Sequence, residues 1–269
     1  MEAVKAEDLY QVVSLGNLQA NGQRAVLARN QAKADGEGYW NWLDVFENGE
    51  LKRLTTLGQE KSYALVDNSV YYTAQEGKGN CLLYKQELDQ ASPAKVAAFK
   101  EAGYQVINSV AGHYLLLSRR VDLAEKKSTD YQVLDELPYY FNGQGYINKL
   151  RDRLYVWDLA EEKLTELFQD DPNFAVMETF VAKEKVYVVG VSYQTRRPFD
   201  GAVYEVDPST GDAKLLLPAG KAEVSAIFAL NNQVYCFANT HKKTGLNENP
   251  EFYRLTEDGL ELAANFDNS

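Results

Sequence analysis

Two independent markers recur along this chain at nearly the same interval, and that repeat limits the fold more than any other feature. Apolar runs begin at Arg24 (RAVLAR), Ser69 (SVYYTA), His113 (HYLLLS), Lys185 (KVYVVG) and Gln233 (QVYCFA). A second set ends at Glu47 (LDVFE), Glu87 (LYKQE), Asp158 (LYVWD), Asp207 (VYEVD) and Thr256 (FYRLT). Both sets step by about 40–49 residues, and both carry one surplus of roughly 23 residues in the same interval. An apolar run and a polar turn precede each first-set strand, as at Leu18–Gly22 and Tyr63–Asn68. A turn and a final short strand follow several of the second set, as after Glu47-Asn48-Gly49 and Glu257-Asp258-Gly259. Asn-Gly and Asp-Gly between apolar runs are strong hairpin signals.

Each repeat therefore predicts four short antiparallel strands, which is the blade of a β-propeller. The expected fold is all-β, one propeller domain over 1–269 with about five blades at 9–56, 57–99, 100–168, 169–217 and 218–266, a partial or small ring. A β-sandwich also gives closely spaced strands, but it does not predict one period on two markers. Pro93–Lys100 has some helical character yet occupies a final-strand position. The surplus lies in the third repeat, and its charged start, Asp122–Asp130, reads as a solvated loop. The apolar faces of the first and last blades would be left open in a piece of a larger ring, with Val26, Tyr39 and Trp42 at one end and Val234, Phe237 and Tyr253 at the other. That predicts either a tightened closed ring or a homo-oligomer through the end blades.

With 28 basic against 39 acidic residues the net charge is −11, which argues against nucleic-acid and anionic-membrane partners. The 18 tyrosines suit a sheet protein. Cys81 and Cys236 sit far apart in apolar strand-like runs and read as buried free thiols. There is no metal-ligand spacing, so no metal and no cofactor is expected. The start MEAVKAEDLY has neither a basic nor an apolar leader region, and no apolar run reaches a membrane span. The expected compartment is the cytoplasm.

The stretch Leu137–Asp158 joins the repeated strand LYVWD to a unique segment, LPYYFNGQGY, whose Asn142-Gly143 and Gly145 ask for a tight turn with positive φ. This combination resembles the third blade of the propeller in the prolyl oligopeptidase family of serine peptidases. The branch it looks most like is the acylaminoacyl peptidases and bacterial dipeptidyl aminopeptidase-like relatives. AEDLYQVVSLGNLQANGQRAVLAR is similar to that family's first blade, although the family's usual Ser-Pro-Asp-Gly turn is here Gln19-Ala20-Asn21-Gly22. ELKRLTT at 50–56 resembles its blade-ending strand. In that family the nucleophile sits in a Gly-x-Ser-x-Gly elbow of a C-terminal α/β-hydrolase domain. No such motif occurs here; GVSYQ at 190–194 ends in Gln and reads as the end of a strand. His113, read as lying within a core strand, and His241, in a loop, have no evident Ser partner for a triad.

The resemblance therefore implies a non-catalytic propeller that covers and size-filters the active site of a peptidase hydrolysing short peptides. Its partner would be the C-terminal hydrolase domain of the same polypeptide. By itself this chain is expected to hydrolyse nothing. The alternatives are a stand-alone interaction scaffold, or a propeller enzyme with its own paired carboxylates. No catalytic residue is assigned. The substrate-access candidates are Tyr139, Tyr140, Phe141, Asn142, Arg196 and Arg197. The arginine pair could clamp the carboxylate of a peptide terminus, or form a solvated turn paired to Asp200 or Glu205. The aromatics could face the access path, or pack the insertion onto its blade with Tyr140 and Phe141 as anchors. Trp40 and Trp42 are expected to fill space between blades.

Overall fold

The alternating apolar runs form strands throughout, and a computed structural model describes residues 5–22, 24–77, 79–124, 133–242 and 245–264. Five four-stranded antiparallel sheets account for most of them. The first is β1 (Val13–Asn21), β2 (Arg24–Ala32), β3 (Tyr39–Glu47) and β4 (Glu50–Arg53), and the second is β5 (Tyr63–Val66), β6 (Ser69–Glu76), β7 (Asn80–Glu87) and β8 (Ala94–Phe99). The third contains β9 (Gln105–Val110) and β10 (Tyr114–Asp122). A two-stranded hairpin follows, β11 (Tyr140–Phe141) and β12 (Gly145–Tyr146), before β13 (Leu150–Asp158) and β14 (Lys163–Glu166) complete the sheet order β14-β13-β10-β9. The fourth is β15 (Phe174–Ala182), β16 (Lys185–Ser192), β17 (Ala202–Val206) and β18 (Ala213–Leu217). The fifth is β19 (Glu223–Leu230), β20 (Gln233–Asn239), β21 (Glu251–Thr256) and β22 (Gly259–Ala264).

The two sequence markers are thus the second and third strands of each sheet. In every sheet they are the two central strands and carry most of its buried residues, which is why they repeat most clearly. Hairpin turns hold residues with positive φ where the sequence asks for them, among them Asn48-Gly49 and Gly259. The Pro93–Lys100 segment is strand, β8, not helix. His113 is not within a strand: it is exposed in the turn between β9 and β10, beside Ala111 and Gly112, both at positive φ.

The chain divides into two compact units, Met1–Ser118 with Leu159–Glu162, and Arg119–Asp158 with Lys163–Ser269. The third sheet's residues are shared between them. In the first unit, Val26, Ala28 and Leu43 of one sheet pack on Tyr63, Val70 and Tyr72 of the next. The Tyr63 hydroxyl donates to the Val26 carbonyl at 2.6 Å, and Gln19 bonds both the Tyr63 carbonyl and the Leu65 amide. In the second unit, Tyr187, Val189 and Val203 pack on Val224, Ile227, Cys236, Tyr253 and Leu255. Val26 and Tyr253, expected on open end faces, are therefore buried, because each is the residue its sheet turns toward a neighbouring sheet of the same unit. Tyr39 is exposed. Both cysteines are fully buried and free, and burial pushes the Cys236 thiol up to about 12. Of the expected loop Asp122–Asp130, residues 125–130 lie outside the described residues. No helix among the described residues is long and apolar enough to cross a membrane.

Candidate functional site

The segment between β10 and β13 is tied down by a buried ion pair. Arg151, on β13, is wholly inaccessible, and all its donors are used. Its guanidinium donates to both oxygens of Glu136, at 2.6 and 3.1 Å, and to the carbonyls of Leu150, Asn173 and Tyr193 at 2.9–3.1 Å. It also stacks 3.8 Å above the Tyr193 ring. The Lys149 amide donates a further bond to Glu136 at 2.7 Å. Burial pushes the Glu136 carboxyl up, but the bonds from Arg151 and Lys149 and their charges outweigh it, holding the carboxyl below its usual range. This pair, not Tyr140 and Phe141, anchors the insertion. Those two rings are 52% and 44% exposed, too open to act as packing anchors.

From Glu136 the chain runs beside the loop that follows β16. The Leu137 amide donates to the Thr195 carbonyl at 2.7 Å, and the Arg197 amide to the Leu137 carbonyl at 2.8 Å, making a parallel bridge between Leu137 and Arg196. The far end of the loop is held by Asp200, whose carboxylate bonds His241 Nε2 at 3.1 Å. The other ring nitrogen of His241 lies 3.3 Å from the Gly245 carbonyl. The Asp200 bond foremost raises the His241 pKa above its ordinary value.

Between these segments lies an apolar cavity of about 510 Å³, lined by Leu137, Pro138, Phe141 and Met177 and by Arg196, Arg197, Pro198 and Phe199 of the loop. Met177 reaches it because it is the extra residue of a β-bulge in β15, where the register shifts between Val176 and Glu178. Of the six access candidates, the structure brings Phe141, Arg196 and Arg197 to one cavity. Tyr139 and Tyr140 lie on the same hairpin without lining it. Tyr140 meets Tyr146 edge-on across the hairpin at 5.6 Å. Asn142 sits at the hairpin turn, where Gly143 and Gly145 adopt the positive φ the sequence predicts. The expected pairing of the arginines with Asp200 or Glu205 is not formed: Asp200 binds His241, and Glu205 accepts from the Tyr187 hydroxyl. Leu137, Pro138, Met177, Pro198 and Phe199 are not among the access candidates; the signals for them are that Leu137-Pro138 opens the LPYYFNGQGY segment and that Pro198-Phe199 directly follows the arginine pair.

Elsewhere, Trp40 stacks on Trp42 with ring centres 6.0 Å apart, and Lys33 lies over its ring. Trp40 is exposed and lines an open cavity with Asn41 and Gln59, so it does not fill space between blades. Among the described residues no group of three His, Cys, Asp or Glu could hold a metal ion.

No family model and no curated protein matches the sequence. Solved structures do. The β-propeller domain of the Trilobed protease from Pyrococcus furiosus, with an open velcro topology, matches 95% of this chain and 71% of its own at 13% identity and a TM-score of 0.57. The fold is a β-propeller. Acylaminoacyl peptidase from Pyrococcus horikoshii matches 96% of this chain at 12% identity and a TM-score of 0.51. A prolyl endopeptidase matches 95% at 14% identity and a TM-score of 0.59. This chain spans 47% of the acylaminoacyl peptidase and 34% of the prolyl endopeptidase. The propeller read from the repeat period and from the third-blade resemblance is thus the observed fold.

Proposed function

We propose that this chain is the propeller part of a serine peptidase of the prolyl oligopeptidase type, covering the active site and filtering substrates by size. The observation that carries the reading is the fit of nearly the whole chain to less than half of peptidase chains: 96% of this chain against 47% of the acylaminoacyl peptidase. The mechanism is steric. A set of rigid sheets over a catalytic cavity admits short or unfolded peptides and excludes folded ones. The catalytic Ser, Asp and His would come from a hydrolase domain of the same polypeptide. Residues 1–269 contain no Gly-x-Ser-x-Gly elbow. Phe141, Arg196 and Arg197 are the residues of this chain that would meet a passing peptide, with Tyr139, Tyr140 and Asn142 on the adjoining hairpin. Two buried free thiols suit a reducing compartment, the cytoplasm.

A fluorophosphonate probe tests the assignment. The polypeptide that carries this chain should be labelled at one serine outside residues 1–269 and should hydrolyse short peptides, while the chain alone does neither. Absence of any labelled serine in that polypeptide would overturn the peptidase reading and leave an interaction scaffold.

A further inference from the structure

We propose that the cavity between Leu137–Phe141 and Arg196–Phe199 binds the C-terminal residue of a peptide, its side chain against Phe141, Met177 and Phe199 and its carboxylate on Arg196 and Arg197. The chain carries 39 acidic residues against 28 basic ones, so a cation here has abundant potential partners. Among the described residues, nevertheless, neither guanidinium takes an ion pair or a side-chain hydrogen bond. The neighbouring acids are engaged elsewhere: Glu136 with Arg151, Asp135 with Lys149, Asp200 with His241. Two adjacent unneutralised arginines thus line an apolar cavity in an anionic molecule.

Beside them Phe199 is 71% exposed and Leu137 57%, large apolar surface left open to solvent. The cavity's 510 Å³ falls within the range of about 300–1,000 Å³ usual for small-ligand sites. A ligand with an apolar group and a carboxylate a short span apart satisfies both halves. Guanidinium groups fork onto carboxylates. An internal segment without Asp or Glu offers them no charge, a peptide N-terminus is repelled, and an inorganic anion gains nothing from the apolar lining. The backbone of the site is fixed beforehand by the Leu137–Arg196 bridge, by Arg151 on the Tyr193 carbonyl and by His241 on Asp200, which lowers the ordering cost of binding. The proposal does not depend on the peptidase reading, because binding without cleavage is measured on the chain itself.

The test titrates the chain with fluorescein-Gly-Gly-Phe and its C-terminal amide by fluorescence polarisation. The free acid is expected to bind about tenfold tighter than the amide, a discrimination that shrinks as salt is raised. Arg196→Ala and Arg197→Ala should each abolish most of that discrimination while leaving amide affinity unchanged. Replacing the terminal Phe by Ala should weaken the acid by about tenfold. Arg196→Glu, at an exposed position of the loop, should remove acid binding with an unchanged melting temperature. Equal affinity for acid and amide, no saturable binding up to about 1 mM, or arginine variants that keep the preference would each overturn the proposal.

Discussion

Removing the Glu136 carboxylate probes the element on which the site is built. Glu136 and Arg151 have side-chain exposures of 1% and 0%. Glu136→Ala deletes two hydrogen bonds from the guanidinium and one from the Lys149 amide. It leaves Arg151 as a buried cation held only by three carbonyls and the Tyr193 ring. Breaking a buried pair in this way costs about 3–5 kcal/mol. Glu136→Gln, which keeps one acceptor, should cost less, about 1.5–3 kcal/mol. Paired with Arg151→Met, the loss should fall short of the sum of the singles by about 0.5–3 kcal/mol, since both share one network. Urea unfolding followed by far-UV circular dichroism measures all three. The pH dependence has a defined sign. The folded Glu136 pKa lies below its ordinary 4.5, so its contribution is present above pH 4.5 and is lost as pH falls through the folded value. Wild type and Glu136→Gln should therefore converge in acid. A loss at pH 7 under about 1 kcal/mol, the size of an exposed pair, would refute the reasoning.

Three further outcomes follow from particular contacts. The His241 pKa is raised above 6.5 by Asp200, so the stability it adds is present below pH 6.5 and lost as pH rises through the folded value. The gap between wild type and His241→Gln should thus be wider at pH 6 than at pH 8.5, and a pH-independent gap in thermal melts would contradict it. A Cβ at Gly201 would lie 2.6 Å from Val189 Cγ1 and 3.1 Å from both the Gly190 nitrogen and Met177 Sδ, so Gly201→Ala should cost about 1–3 kcal/mol and disturb Met177 in the cavity lining; a neutral variant in urea unfolding would show that these neighbours yield. Cys81 and Cys236, buried and with raised pKa values, should react with a thiol reagent only when the chain unfolds, and fast labelling of the native protein would contradict their burial.

The blades were legible because central strands such as β6 and β16 are buried on both faces and repeat as dense apolar runs. The edges were not. Gly112 signals a turn between Val106–Val110 and YLLLS, but not that His113 belongs to that turn rather than to the strand after it. The site was partly legible, since Phe141, Arg196 and Arg197 stand out as an aromatic run and a paired cation. What joins them was hidden. Glu136 and Arg151 are 15 residues apart and look like ordinary surface charges in sequence. Their burial arises only when the strap 135–137 is laid beside the loop at 193–197. Met177 reads as one more strand residue, because a bulge that redirects one side chain leaves no compositional mark. Val26 and Tyr253 were assigned to open faces because periodicity tells which residues share a face but not which face finds a partner.

The central claim, that this chain filters substrates for a catalytic domain by size, is tested most directly by a cleavage-rate ratio. The polypeptide carrying this chain would be given one short sequence as a free peptide and as an exposed loop within a folded protein. The account predicts rapid cleavage of the free peptide and none of the embedded loop, with both cleaved once residues 1–269 are deleted from an otherwise folded hydrolase domain. Equal cleavage of both substrates by the intact polypeptide would contradict it.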